Sequence, residues 1–381
     1  MRNGLNMWNT IITLMISMFG AGLLYISFRA ARFQPVLKIV RGKKWLARLL
    51  CLMFFAALTG AMWAMWNMMN AIACMIHLIL IWLLFDLASF IIGKIRKRKW
   101  KHYWAGLSAI IFCILWLTWG WIGAHYVRMT TFTFYTPKLD QNMRIVQFSD
   151  THVGATFHAD GLLKHIEKIN AMNPDVVVVT GDFVDNDTSR EDMLASCDAL
   201  GQVTAPKGVL FVYGNHDKAR YGPSNGGWTG EELRSRLEAN GVIILEDAAF
   251  SINEQLCIAG RKDRSDSQRR GGRISAEQLL SSVDHDQYII VLDHQPNDFD
   301  AEAAAGADLV LCGHTHAGQF IPIDHVGEWI GENDLRYGHE KRQDTDFIVT
   351  SGISNWTFKF KTSACSEYVV IDLVAHGTKN E

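Results

Sequence analysis

Arg144-Ile145-Val146-Gln147-Phe148-Ser149-Asp150-Thr151-His152 opens on a short apolar run and closes on a carboxylate and an imidazole two residues apart. The same arrangement returns four times further along the chain. Val176–Thr180 runs into Gly181-Asp182, Val209–Tyr213 into Gly214-Asn215-His216-Asp217, Tyr288–Leu292 into Asp293-His294, and Leu309–Cys312 into Gly313-His314-Thr315-His316. Near-continuous Val, Ile and Leu runs of this length are strands covered on both faces. Phe347–Thr350 and Tyr368–Leu373 read the same way, and a further strand ends at Gly260. Between strands lie helical patterns. Gly161–Met172 places Leu162, Leu163, Ile166 and Ile169 on one face, and Glu231–Ala239 does so with Leu233 and Leu237. Strands alternating with helices give an α/β domain, whose ligands gather at the C-terminal ends of the strands.

Order carries more weight than any single fragment. An Asp and a His two apart mean little, and Asp284-His285-Asp286 and Asp324-His325 are clusters of that kind that fit no pattern. Five consecutive strands delivering metal-capable side chains to one sheet edge leave ordinary turns and satisfied histidines as a poor explanation.

The composition, 49% hydrophobic, conceals a division. Four apolar stretches, Trp8–Phe28, Leu46–Trp66, Ala71–Ile92 and Trp104–Val127, each approach the 20 or so residues that cross a bilayer core as a helix. The remainder, from Thr136 onward, has the composition of a water-soluble domain, and its about 240 residues suffice for one. The expected organisation is a transmembrane region over residues 1–130 with four helices and a catalytic domain over residues 136–381. The first stretch reads as a retained span, because no small-x-small cleavage pattern precedes the basic cluster Arg29, Arg32 and Lys38. Lys and Arg collect in the loop after the first span and in the loop after the third (Lys94 to Lys101), while Asn67–Asn70 is uncharged. The positive-inside rule then makes the protein multi-pass in the plasma membrane with its catalytic domain extracytoplasmic. Trp63, Trp66, Trp82, Trp100, Trp104, Trp116, Trp119 and Trp121 fall mostly near span ends, as interfacial rings do. Asp86 and His77 are the strongly polar side chains within apolar sequence, and Asp86 is placed to pair with a basic neighbour or reach the interface. Cysteines are spread without zinc-like spacing.

As a set, D-x-H, GD, GNH-D, H and GH-x-H resemble the calcineurin-like metallophosphoesterase superfamily, from about Met143 to the C-terminus. Leu292-Asp293-His294-Gln295-Pro296, Gly313 to Gln319 and Ser351-Gly352-Ile353 are similar to its bacterial membrane-associated phosphodiesterase branch, with Ala317 where that branch usually has Gly. The resemblance implies a four-layer αββα sandwich. It also implies two divalent metal ions, Mn, Fe or Zn, one held by Asp150, His152 and His316, the other by Asn215, His294 and His314, with Asp182 bridging both. Imidazole and carboxylate suit those metals, and Asn215 adds a neutral oxygen. His216 is then the general acid, and Asp217 orients it.

The expected activity is that of a membrane-anchored dinuclear phosphohydrolase using a metal-activated hydroxide on a phosphodiester or pyrophosphate bond. Only about 15 residues separate the last span from the first catalytic strand, which favours a lipid or cell-envelope substrate. Two alternatives stay open: a hydrolase of a nucleotide-linked lipid precursor at the cytoplasmic face, and a non-catalytic membrane sensor or scaffold. A net charge of −2 argues against a dedicated nucleic-acid substrate. Arg261, Lys262, Arg264, Arg269, Arg270 and Arg273 form a basic segment that is either a solvated loop or an anionic headgroup contact. Trp356, Phe358 and Phe360 are either core or flank the entrance.

Overall fold

The computed structural model describes residues 17–97, 100, 102–218, 226–267 and 272–375. They form two compact units, divided between Trp119 and Gly120.

In the first unit, residues 17–30 form helix α1, followed by α2 (Gln34–Ile39), α3 (Lys44–Met65), α4 (Met68–Ile95) and α5 (Trp104–His125), whose last turn belongs to the second unit. Among the described residues three helices, α3, α4 and α5, are long and apolar enough to cross a membrane. Four were expected; residues 8–16 of the first stretch lie outside the described residues. Ile26, Ala47, Cys51, Phe55, Met75, Ile79, Trp82, Ala109 and Cys113 pack together at the centre of this unit. The small Ala and Cys side chains let the helices approach closely, as membrane helices do.

Asp86 is paired here, and its partner comes from the end of α1. It makes an ion pair with Arg29 and accepts hydrogen bonds from the hydroxyls of Tyr25 and Tyr103, the latter at 2.7 Å. The Tyr103 oxygen accepts in turn from Trp82 Nε1 at 2.7 Å and Arg29 Nε at 3.0 Å. A carboxylate in apolar surroundings is tolerable when it is paired and hydrogen-bonded, and this one is. The cluster joins α1, α4 and the start of α5, so its role here is to fasten helices.

The second unit holds two six-stranded sheets. One contains β1 (Arg128–Thr136), β2 (Met143–Phe148), β3 (Val176–Thr180), β4 (Val209–Val212), β5 (Val242–Ile244) and β12 (Glu367–Ala375), in the order β1-β12-β2-β3-β4-β5. The other contains β6 (Ala248–Ser251), β7 (Leu256–Gly260), β8 (Tyr288–Leu292), β9 (Leu309–Cys312), β10 (Gly338–Arg342) and β11 (Thr345–Val349), in the order β10-β11-β9-β8-β7-β6. β2, β3 and β4 run parallel, as do β7, β8 and β9.

Side-chain alternation assigns the layers. Val176 and Val178 of β3 meet Ile258, Ile290, Leu292 and Leu311 from the opposite sheet, while Val177 and Val179 point outward. That outer face packs against Leu162, Ile166 and Ile169 of α6 (Ala159–Asn170), Met193 and Cys197 of α7 (Arg190–Leu200), and Leu233 and Leu237 of α8 (Gly230–Ala239). Ile289 and Val291 of β8 point the other way, toward α9 (Ala276–Leu280) and α10 (Phe299–Ala304). The result is the expected αββα sandwich. Ser189, Thr229 and Ser275 cap α7, α8 and α9 through their side-chain oxygens.

β1 was not among the expected strands. It begins two residues after α5 ends and pairs in parallel with β12 along its whole length. The interval between the last apolar stretch and the first expected strand is therefore largely sheet.

Candidate metal centre

Every ligand motif sits just beyond the C-terminal end of its strand, on turns that the local sequence makes tight. Asp150 and His152 follow β2, Asp182 follows β3, Asn215 follows β4, His294 follows β8, and His314 and His316 follow β9. Asp150, His152, Asp182, His314 and His316 all adopt positive φ, from 37° to 73°. Such backbone costs non-glycine residues about 1–3 kcal/mol each and persists where the surroundings over-determine it. Glycines make room beside them. A Cβ on Gly214 would fall 2.1 Å from Asp182 Oδ1, and Gly181 itself lies at φ +83°.

Two groups of ligand atoms converge. Asp150, His152 and His316 form one, and Asp182, His294 and His314 the other, with the atoms of each group within 4.8 Å of one another. Asn215 joins the second group, its Oδ1 3.2 Å from His294 Nε2. Asp182 stands between the groups. Its Oδ1 accepts a hydrogen bond from the His216 N–H at 2.8 Å, which leaves Oδ2 3.6 Å from His152 Nε2 and 3.2 Å from His294 Nε2. Two ligands that share an ion at about 2.1 Å each stand about 3.0–3.4 Å apart. The observed spacings lie close to that, so the donor set fits a divalent cation in each group.

Unmade hydrogen bonds point the same way. Both ring nitrogens of His152 and Nδ1 of His316 are buried and make none. Buried polar atoms are nearly always paired, and ligation of a cation is one way for an imidazole nitrogen to be satisfied.

Charges are divided between the ligand side chains. Burial raises Asp182, but the imidazoles of His294, His152 and His216 outweigh it and hold this carboxyl well below its ordinary value. Burial lowers His294, yet the Asp182 carboxylate carries it well above the ordinary imidazole value. His152 is raised likewise, against burial, by Asp185 and Asp182. His314 is pushed down to about 4, by burial and then by His294, and His316 is lowered by burial and His152. The lowered His314 and His316 favour the neutral form that ligates a cation, whereas a cation entering beside His294 competes with a proton.

Two carboxylates hold the turns in place. Asp217 Oδ1 accepts from the N–H groups of Phe183 and Val184 at 2.7 and 3.1 Å, and its Oδ2 from Gly214 at 2.7 Å. Both oxygens thus bind the backbone of the Asp182 and Asn215 turns, a more specific placement than the orientation of His216 expected for this residue. Asp185, which the sequence reading passed over, lies with Oδ2 3.3 Å from His152 Nδ1 while its Oδ1 accepts from Asp187 and Thr188 backbone. A carboxylate behind a ligating imidazole fixes its orientation and raises its basicity. The available signal was position, three residues after Asp182 in the same turn. Asp185→Ala is expected to weaken metal affinity by about 10–100-fold, with Asp185→Asn between it and the parent. Titration of detergent-purified full chain with Mn²⁺ measures this, and an unchanged affinity would remove Asp185 from the centre.

His216 and Trp356 flank the site, their rings 5.6 Å apart, with the His216 ring 5.2 Å from that of His152. Trp356 is 41% exposed and so lies at the entrance, whereas Phe360 is core. The basic segment is mixed over its described part: Arg264, Ser265 and Ser267 are exposed, while its other described basic side chains are engaged with carboxylates. Arg261 is buried among Asp293, Asp298 and Glu302, Arg273 pairs with Asp293, Lys262 lies 3.5 Å from Asp247, and Arg264 pairs with Glu332. Arg269 and Arg270 lie outside the described residues. His158 pairs with Asp192 and His339 with Asp346, away from the ligand groups.

The family profile for calcineurin-like phosphoesterases matches residues 143–318, the span that carries all the ligand motifs. An uncharacterized metallophosphoesterase from Aquifex aeolicus is 32% identical over 206 residues, covering 53% of this chain and 74% of that one. The chain belongs to the calcineurin-like metallophosphoesterases. It is a metal-dependent phosphoesterase with two candidate metal sites and N-terminal helices long and apolar enough to cross a membrane. A transmembrane protein with metallophosphoesterase domain from Danio rerio is 32% identical over 197 residues, 49% of this chain and 43% of that one. A putative metallophosphoesterase from Caenorhabditis elegans is 28% identical over 247 residues, 61% of this chain and 48% of that one. The chain thus spans under half the length of these two relatives. The crystal structure of a dimetal phosphatase from Danio rerio aligns with 55% of this metallophosphoesterase and 87% of its own chain, at 12% identity and a TM-score of 0.37.

Proposed function

We propose that this metallophosphoesterase cleaves a phosphodiester or pyrophosphate bond in a lipid or cell-envelope substrate, from the extracytoplasmic face of the plasma membrane. The position of Asp182 Oδ2 between the imidazoles of His152 and His294 carries the reading, because a carboxylate placed there would belong to the ligand sets of both cations. Asp150, His152 and His316 would hold one cation, and Asn215, His294 and His314 the other. Two such ions, Mn, Fe or Zn, would neutralise phosphoryl charge and activate water.

The chain's own side chains do the rest. His216, held by its backbone N–H on Asp182, reaches the edge of the site beside Trp356. Burial lowers its pKa, while a phosphoryl anion beside it would favour the protonated form. His216 then donates its proton to the departing oxygen. Asp217 keeps both ligand-bearing turns in register through its three backbone hydrogen bonds.

Proximity supports a membrane substrate. Two residues separate the end of α5 from β1, so the catalytic unit has no long tether on which to leave the surface. Loop charge supports the extracytoplasmic side.

One experiment tests both the bond and the side. Sealed right-side-out and inside-out vesicles carrying the full chain are supplied with a membrane-impermeant chromogenic phosphodiester or phosphomonoester, with and without Mn²⁺. Metal-dependent diester turnover in right-side-out vesicles is expected. Turnover confined to inside-out vesicles would place the site in the cytoplasm and favour a nucleotide-linked lipid precursor. No turnover of either ester with metal bound, even in detergent, would favour a sensor or scaffold.

A further inference from the structure

The catalytic unit exposes large apolar side chains in few places. Among its described residues they fall at 121–135, where the chain leaves α5 and forms β1, at 321–330, and at Trp356 beside His216. The second stretch begins five residues after the ligand His316 and offers Ile321, Ile323, Val326, Trp329 and Ile330 to solvent, Trp329 at 72% and Ile330 at 67% exposure. A contiguous apolar patch of this kind on a water-soluble sandwich marks a contact surface.

The stretch is held in shape. Val326, Trp329 and Ile330 donate backbone hydrogen bonds to Ile323, His325 and Val326, forming the short helix α11 (Val326–Trp329). Arg336 pairs with Asp324 at 3.2 Å and donates to the Ala317 carbonyl at 3.1 Å. The apolar side chains therefore point outward from a braced turn.

Its base rests on the segment that receives the end of the last span. Thr362 N–H donates to the Gln319 carbonyl at 3.0 Å, Ile321 N–H to Thr362 Oγ1 at 3.0 Å, and Gln319 Nε2 to the Phe360 carbonyl at 2.7 Å. In the same segment Lys361 N–H donates to the Gly120 carbonyl at 2.9 Å and Ser366 N–H to the Gly123 carbonyl at 2.8 Å. Residues 319–321 and the last turn of α5 are thus bound to one short stretch of chain. The apolar lip is continuous with the point at which a membrane-crossing helix ends.

We propose that the lip formed by Ile321, Ile323, Val326, Trp329 and Ile330 seats in the bilayer surface and holds the turn carrying His314 and His316 at headgroup depth. Trp329 with four aliphatic neighbours is the composition of an interfacial anchor. The proposal stands whether or not the substrate is a lipid, because it concerns where the site is held.

The test uses the full chain in proteoliposomes. Trp329→Cys, Ile323→Cys and, as a control on the exposed face of α6, Lys164→Cys are each labelled with bimane, and lipids bearing a shallow doxyl group serve as quencher. The unsubstituted protein, whose cysteines are buried apart from the half-buried Cys365, gives the background. Labels at 329 and 323 are expected to be quenched at least about threefold more than at 164, as for a face buried about 5–10 Å into the headgroup boundary. Metal-dependent hydrolysis of a soluble diester by each labelled protein confirms its fold. Equal quenching at all three positions overturns the proposal. So does spontaneous disulfide dimerisation of the Trp329→Cys protein without lipid quenching, which would assign the face to a second copy of the chain.

Discussion

Asp182→Asn is expected to lose at least about 10³-fold in turnover, or some 4 kcal/mol of transition-state stabilisation, and to retain fewer than two metal ions per chain. The amide preserves shape and still offers an oxygen to the His216 N–H, which Asp182 Oδ1 accepts at 2.8 Å. What it removes is charge. Two divalent cations about 4 Å apart repel each other, and in a site this buried only an anion between them makes double occupancy favourable. Asp182 Oδ2 is the carboxylate oxygen placed near imidazoles of both groups. Asp150 converges as a ligand with His152 and His316, and touches the other group only by accepting the backbone N–H of His314 at 3.0 and 3.1 Å, which an amide oxygen also accepts, so Asp150→Asn should weaken the first site more than the second. Metal content by elemental analysis, read beside the rate, checks this. An Asp182→Asn protein with two ions and near-parental turnover would show that no bridge is needed.

The strands that carry the ligands were legible because burial on both faces forces an unbroken aliphatic sequence. β3 is Val-Val-Val-Val-Thr and β8 is Tyr-Ile-Ile-Val-Leu, and their bounds agree with the reading of sequence alone. β2, β4 and β9 differ from it by no more than a residue at one end. β1 and β10 escaped notice for the opposite reason. β1 lies at a sheet edge and is largely exposed, with Thr130, Phe132 and Phe134 half-buried and Thr136 buried, while β10, Gly-His-Glu-Lys-Arg, has the charged sequence that protects an edge from further pairing.

The same distinction governs the site. Ligands were visible as types at strand ends, but the groups that orient them depend on how turns fold back. Nothing in a linear pattern says that Asp185 faces His152, or that Asp217 spends both oxygens on backbone N–H groups. Charged residues mislead most. Arg261 and Arg273 look like a surface cluster until Asp293 and Glu302 arrive from other elements and allow them to be buried. Asp86 likewise finds Arg29 across the first unit rather than a neighbour in its own helix.

His216→Ala separates chemistry from metal binding. The side chain is outside both ligand groups, and although its ring meets that of His152 at 5.2 Å, the backbone N–H that Asp182 accepts is one that alanine retains. Both ions should therefore stay, while turnover falls by about 10²–10⁴-fold, the usual worth of a general acid. A purely structural role would produce the same fall by loosening the Asp182 turn, so the pH profile decides. A general acid must be protonated in the enzyme–substrate complex, and kcat then declines as pH rises through its pKa. Burial first, with the neighbouring His152 and His294, lowers that pKa, and a bound phosphoryl anion raises it again. The parent enzyme should accordingly show an alkaline limb in kcat that His216→Ala lacks. A substrate whose leaving group departs without a proton, such as a nitrophenolate, should also lose less rate in the variant than an alkyl ester does. Equal losses on both leaving groups, with the alkaline limb intact, would take proton donation away from His216 and leave it the task of steadying phosphoryl oxygens.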